Sequence, residues 1–65
     1  MKDEWDCRLG NGRDVHYSID RSSEPLWAIT AQALGSVVLH QATVKAPISR
    51  REVEAYFRDD LKKEP

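Results

Sequence analysis

Apolar and polar residues alternate in two runs within the first 20 residues of the chain. A period of two residues is typical of a strand with one face buried and the other face in water. The two runs therefore predict a β-hairpin over about residues 4–20. The apolar residues in phase are Trp5, Cys7 and Leu9 in the first run and Val15, Tyr17 and Ile19 in the second.

The length of the hairpin turn follows from the same alternation. A two-residue turn at Asn11 and Gly12 would set Leu9 opposite Asp14, and so place an apolar face against a polar one. We therefore predict an odd turn of about three or five residues, in which Gly10 or Gly12 supplies a positive φ. The predicted pairs are Leu9 with Val15, Cys7 with Tyr17 and Trp5 with Ile19.

The next segment, "RSSEPLWAITAQALG", has apolar residues at helical spacing. Ser22 or Ser23 can act as the N-cap, and Gly35 stands where a C-terminal cap is expected. The pattern predicts a helix over about residues 23–34. Its apolar stripe consists of Leu26, Ile29, Ala33 and Leu34.

Two interpretations are open for residues 36–45, "SVVLHQATVK". The apolar stripe continues past Gly35, which would prolong the helix, whereas the β-branched residues favour a strand over about residues 37–45. We favour the strand, because a third strand makes a hairpin part of a more stable sheet.

The last element is a helix over about residues 49–63. Ser49 and Glu52 have the spacing of a capping box, and Ile48 and Val53 have the spacing of a hydrophobic staple. The apolar face of this helix repeats at helical spacing through Val53, Tyr56, Phe57 and Leu61.

These elements predict an α+β fold for residues 1–65 as a single small domain. The expected order is ββαβα, in two layers, with an antiparallel three-stranded sheet (the N-terminal hairpin plus one strand) packed against two helices. A chain of 65 residues buries only about 60% of the surface of its unfolded form, so a thin core is expected.

The balance of charges disfavours nucleic acid as a partner. Ten Lys and Arg stand against eleven Asp and Glu, which gives no general attraction for nucleic acid phosphates. No charged residue occurs from Pro25 to Val44. Polar residues and Gly35 interrupt this run, so we expect it to be buried, partly against another subunit, and not to cross a membrane.

The compartment is predicted from the cysteine and from the first residues. Cys7 is alone and can form no internal disulfide, and the acidic start "MKDEWD" does not resemble a signal peptide. We therefore expect a soluble, cytoplasmic protein.

The candidate chemistry is sparse. The hairpin phase puts Cys7 inward and His16 outward, which disfavours a dyad, and Asp14, His16 and His40 match no known spacing of metal ligands. The glycines of "GNGRD" link two strands and do not open a helix, so no phosphate-binding loop is expected. The sequence predicts no enzyme, no metal and no cofactor.

Five residues are candidates for contact with a partner: Trp5, Trp27, His40, Arg50 and Arg51. Tryptophan is enriched at binding hot spots, and two arginines in the first turn of a helix oppose its dipole unless something else binds them. We expect a small non-enzymatic protein-binding or regulatory module, as a homodimer or as an inhibitor or accessory subunit, with no small-molecule substrate. The alternative is a small DNA-binding regulator that uses the Arg50 and Arg51 helix, although four acidic residues on that helix disfavour it.

Overall fold

The computed structural model describes residues 2–10, 12–22 and 24–63 and contains four strands and one helix. The elements are β1 (Lys2–Arg8), β2 (Asp14–Asp20), β3 (Leu26–Ala33), β4 (His40–Lys45) and α1 (Arg50–Lys63). The strands form one antiparallel sheet in the order β1-β2-β3-β4, with β1 and β4 at its edges. Asn11 of the predicted turn and Ser23, a predicted N-cap, lie outside the described residues.

The predicted hairpin is confirmed, and its predicted pairing is wrong by two residues. Cys7 pairs with Val15 and Trp5 pairs with Tyr17, so the apolar phases do share one face. The connection spans residues 9–13, an odd number as predicted, and Gly12 has a φ of 88°. Side chains in a strand alternate between the two faces, so registers that differ by two residues place the same side chains on the same face. The alternation therefore predicts which faces pair, and it does not distinguish between those registers.

The helix predicted over residues 23–34 is wrong, because this segment is strand β3. Its inward residues Ile29, Ala31 and Ala33 are buried, while the alternate residues Leu26 and Ala28 are exposed. The outward positions of β3 carry no charge, so the alternation is hidden in the sequence, and alanine-rich segments weakly favour a helix. Pairing with β2 on one side and β4 on the other outweighs that weak preference.

The residues expected to cap this helix form turns instead. The Ser22 amide donates a hydrogen bond to Asp20 Oδ1 at 3.0 Å, which is an Asx turn after β2. Gly35 has a φ of 84° in the turn after β3, where the Ser36 amide donates to the Ala33 carbonyl at 3.0 Å. The three-stranded sheet with two helices is thus corrected to a four-stranded sheet with one helix, and the class remains α+β.

The strand interpretation of residues 36–45 is correct for residues 40–45. They form β4, which pairs with β3, and residues 34–39 connect the two strands. The alternative, a helix continued through Gly35, is excluded by this pairing.

Helix α1 begins with the predicted capping box, and three of the four residues of its predicted apolar face are buried, while Tyr56 is exposed. The Glu52 amide donates to Ser49 Oγ at 3.2 Å, and Glu52 Oε1 accepts from the Ser49 amide at 3.4 Å, which together form the capping box. The buried face of the helix consists of Val53, Phe57 and Leu61. With 14 residues, α1 is shorter than a membrane span, and no other helix occurs in the described part of the chain.

The core lies between α1 and one face of the sheet, and burial falls from the central strands to the edges. The inward side chains of β2 and β3 are buried, apart from the half-buried Trp27 at the start of β3, whereas those of β1 and β4 are half-buried. The backbone of α1 comes closest to β3, whose inward Ala31 and Ala33 leave room for it. The buried core residues are Val15, Tyr17, Ile19, Ile29, Ala31, Ala33, Val53, Phe57 and Leu61.

Replacing Ala31 with leucine tests this packing. Ala31 is fully buried beneath α1, so we expect Ala31→Leu to reduce the free energy of unfolding in urea by about 1–3 kcal/mol through overpacking. Ala28→Leu is the matched control, because Ala28 lies on the exposed face of the same strand. Equal effects of the two substitutions would contradict the alternation of β3.

Candidate functional site

The structure brings two of the five predicted partner-binding residues together, at the edge strand β1. The Arg50 guanidinium binds Asp3 with two parallel hydrogen bonds of 2.9 Å and 2.7 Å, and it lies 5.0 Å above the Trp5 ring. The Trp5 indole N–H donates to Glu54 Oε2 at 3.2 Å. We call Asp3, Trp5, Arg50 and Glu54 the β1–α1 clamp, because they join the two elements.

The electrostatics of the clamp keep its ion pair charged at neutral pH. Hydrogen bonds from Arg50 lower the pKa of the Asp3 carboxyl, and the same carboxylate raises the pKa of Arg50. A bidentate Arg–carboxylate pair also fixes the orientation of both groups. Arg50 thus has a structural role that its position in the first helical turn did not reveal.

Arg51 does not share this site. Successive residues of a helix are about 100° apart around its axis, so Arg50 and Arg51 point in different directions. The Arg51 side chain is exposed, and Arg50 is held against β1. The two arginines therefore differ in their contacts, since Arg50 binds Asp3 and Arg51 is not part of the clamp.

Trp27 and His40 lie elsewhere. Trp27 is half-buried at the start of β3, with the Arg21 guanidinium 5.1 Å above its ring. His40 is half-buried on the inward face of β4, and its ring lies 6.3 Å from that of Phe57. Because β1 and β4 are opposite edges of the sheet, the five predicted residues do not make a single site.

A different surface stands out, formed by β4 and the connection that precedes it. We call residues 34–45 the β4 edge. The apolar side chains of its connection face water, with exposed fractions of 81% for Leu34, 96% for Val37, 45% for Val38 and 46% for Leu39. Clustered exposed apolar side chains are typical of protein–protein contact surfaces.

The two edges of the sheet differ in charge. Strand β1, "KDEWDCR", carries five charged residues, whereas β4, "HQATVK", carries Lys45 alone. Charged side chains on an edge strand oppose pairing with another chain, because they must lose their water. The β4 edge lacks this protection.

The inward side of β4 is also incompletely covered. His40, Ala42 and Val44 are half-buried, since α1 lies nearer to β3. Tyr56, which meets Phe57 edge-on at 5.1 Å, is 52% exposed. The inward side of the β4 edge is therefore open, and α1 carries an exposed aromatic ring at Tyr56.

The sequence shows the uncharged run from Pro25 to Val44, which contains most of the β4 edge. It did not lead us to predict that this segment is an exposed surface. The run from Pro25 to Val44 was expected to be buried because it carries no charge and is too interrupted by polar residues and Gly35 to cross a membrane. In the structure Leu26–Ala33 is strand β3, and β4, the next strand along the chain, lies at the edge of the sheet. The absence of charge from Pro25 to Val44 is the signal that could have indicated an unprotected edge.

The outer face of the sheet carries a cluster around His16. Its Nδ1 lies 2.7 Å from Asp6 Oδ1 and its Nε2 lies 3.1 Å from Glu4 Oε1. Hydrogen bonds to Asp6 and then Glu4 raise the pKa of His16. The imidazolium can donate to both carboxylates, so the folded chain favours the protonated form.

The described residues offer little for metal or nucleophilic chemistry. Residues 2–10, 12–22 and 24–63 contain no group of three His, Cys, Asp or Glu side chains that could hold a metal ion. His16 and His40 lie on opposite faces of the sheet, as do His16 and Cys7. Glu54 is the main cause of a raised pKa for the Cys7 thiol, which makes it a weaker nucleophile at neutral pH.

Comparisons with protein-family models, with curated proteins and with solved structures give no match to this chain. The function is therefore inferred from the residues of this chain alone.

Alanine substitutions of the adjacent arginines test the clamp. We expect Arg50→Ala to lower the urea midpoint of unfolding, because it removes the ion pair to Asp3 and the contact with Trp5. Arg51→Ala, the matched control one residue away, is expected to leave the midpoint unchanged. A loss of stability in both variants, or in neither, would contradict the clamp.

The pH dependence of stability tests the His16 cluster. The pKa of His16 is higher in the folded chain than its ordinary value of 6.5, so its stabilising contribution is complete below pH 6.5. It is lost as the pH rises through the folded-state pKa. We expect the stability difference between the wild type and His16→Gln to shrink over that range.

An NMR titration measures the pKa of His16 directly. The Asp6→Asn, Glu4→Gln double variant should bring the pKa of His16 back toward its ordinary value, since both carboxylates are removed. A His16 pKa at or below 6.5 in the wild type would contradict the geometry.

Proposed function

We propose that this chain is a non-enzymatic protein-binding module whose β4 edge pairs with the β4 edge of a second copy. The observation that carries the proposal is the unprotected edge: four exposed apolar side chains lead into a strand with a single charge. Unpaired backbone groups at such an edge are a template for another strand.

The register of the pairing follows from the faces of β4. Directly opposite residues of an antiparallel pair point to the same face, so inward residues must meet inward residues. A two-fold axis at Ala42 meets this condition and brings no two like charges opposite each other. It pairs His40 with Val44, Gln41 with Thr43 and Leu39 with Lys45 of the second copy.

The dimer would form one continuous eight-stranded sheet with both helices on the same face. The inward side chains of the second β4 would then lie beside His40, Ala42 and Val44, which α1 leaves half-buried. The aliphatic stem of Lys45 would cover Leu39 on the other face. The uncharged run from Pro25 to Val44 would thereby be covered on a second side by the other copy, as its composition suggests.

The mass in solution tests the proposal. Sedimentation equilibrium at tens of micromolar should give twice the chain mass of 7.5 kDa. The Gln41→Glu, Thr43→Glu double variant should be monomeric, because it places carboxylates directly opposite each other across the two-fold axis. Both positions are exposed, so the monomer should keep its fold, as circular dichroism can verify.

The matched control adds the same two negative charges to β3, the strand next to β4. Leu26→Glu with Ala28→Glu places two carboxylates on the exposed face of β3, and we expect this variant to remain a dimer. A wild type that sediments as a single chain at these concentrations would overturn the dimer.

The DNA-binding alternative has less support. Arg50 is bound to Asp3, and Arg51 points in another direction on a helix with four acidic residues. A mobility shift with mixed duplex DNA at low salt, weakening steeply as the salt concentration rises, would favour that alternative over the proposal.

A further inference from the structure

The proposed pairing of two β4 edges leaves part of the apolar surface of this region uncovered. The dimer covers Leu39, whereas Val37 and Val38 lie outside the paired residues 39–45. These two side chains are 96% and 45% exposed. Together with most of β4 they belong to one continuous segment, residues 37–44, "VVLHQATV".

The 37–44 segment has the composition of a strand that stacks on copies of itself. It contains no Asp, Glu, Lys, Arg, Pro or Gly, and four of its eight residues are β-branched. The turn at Gly35 precedes it, and Lys45 follows it. Short uncharged segments with high β-propensity form in-register cross-β stacks, because identical side chains pack on each other without like-charge repulsion.

Both faces of the segment can pack when it is extended, since alternate side chains point to opposite faces. One face is mainly apolar, and the other carries a glutamine whose amide can form a ladder of hydrogen bonds along a stack. The first face consists of Val38, His40, Ala42 and Val44, and the second of Val37, Leu39, Gln41 and Thr43.

The position of the segment in the fold leaves it accessible. Residues 37–39 lie in the connection before β4, and β4 is an edge strand that pairs with β3 alone. Strand β3 is also uncharged, but it is paired on both sides, and its inward Ile29, Ala31 and Ala33 are buried. Of these two uncharged segments, residues 37–44 are the one that another chain can reach.

We propose that the 37–44 segment assembles the chain into cross-β fibrils, with the same segment of further copies as its partner. Intact sheets cannot continue to add to the dimer, because each copy has one β4 edge and its other edge, β1, is charged. Fibril growth therefore begins when the segment leaves β3, which frees its second edge for the next copy. The net charge of −1 gives little repulsion between copies.

Fibril formation by the full chain tests the proposal. At tens of micromolar protein and the urea concentration at which unfolding begins, we expect thioflavin T fluorescence to rise after a lag. The fibrils should diffract at about 4.7–4.8 Å along their axis, the spacing of stacked strands. Hydrogen exchange on the fibrils should show protected amides throughout residues 37–44.

Two lysine substitutions in the same connection identify the segment. Val37→Lys places like charges about 4.8 Å apart along the stack, so we expect no fibrils in the time in which the wild type converts. Leu34→Lys is the matched control, because Leu34 is also apolar and 81% exposed but lies before Gly35, outside the segment. It should change the half-time of conversion less than about twofold.

The wild type and both variants are compared at urea concentrations that unfold the same fraction of each chain, so that a difference in stability does not affect the result. Amorphous aggregates or no assembly by the wild type would overturn the proposal. A fibril core that excludes residues 37–44, or equal effects of Val37→Lys and Leu34→Lys, would also overturn it.

The fibril and the dimer are tested separately. Val37 lies outside residues 39–45, which pair in the proposed dimer, so Val37→Lys should sediment as the wild type does. Fibrils from a chain that sediments as a monomer would remove the dimer and support the fibril proposal. A dimer that forms no fibrils would do the reverse.

Discussion

The width of one helix sets the organisation of this protein. A helix with its side chains is about 10–12 Å wide, whereas four strands at about 4.8 Å spacing make a wider sheet, so α1 cannot cover all of it. Apart from the half-buried Trp27, the inward side chains are buried on β2 and β3, and those on β1 and β4 are half-buried. The chain has no second helix in its described part with which to complete the cover.

The two edges meet this constraint in different ways. At β1, most side chains are charged, and the clamp joins the strand to α1 through Asp3, Trp5, Arg50 and Glu54. At β4, Lys45 is the single Lys, Arg, Asp or Glu of the strand, and the apolar connection before it is exposed. One edge is stabilised from within the chain, and the other has the properties of a surface that pairs with another strand.

The sequence predicts the parts of the fold that depend on near neighbours. The hairpin phase follows from alternation, and the capping box of Ser49 and Glu52 follows from a spacing of three residues. Strand β3 could not be predicted in the same way, because its outward face is as uncharged as its inward face. The partner of Arg50 lies 47 residues away, and no local pattern indicates it. The β4 edge becomes visible only when the order of the strands is known.

The clamp residues are far apart along the chain, which raises the entropy cost of forming their contacts. Each strand pairs with the next one along the chain, so the sheet can form through three short closures. The bonds from Arg50 to Asp3 and from Trp5 to Glu54 span 47 and 49 residues and have the larger entropy of closure. The β1–α1 clamp therefore supplies long-range contacts to a fold whose sheet is built from pairings between consecutive strands.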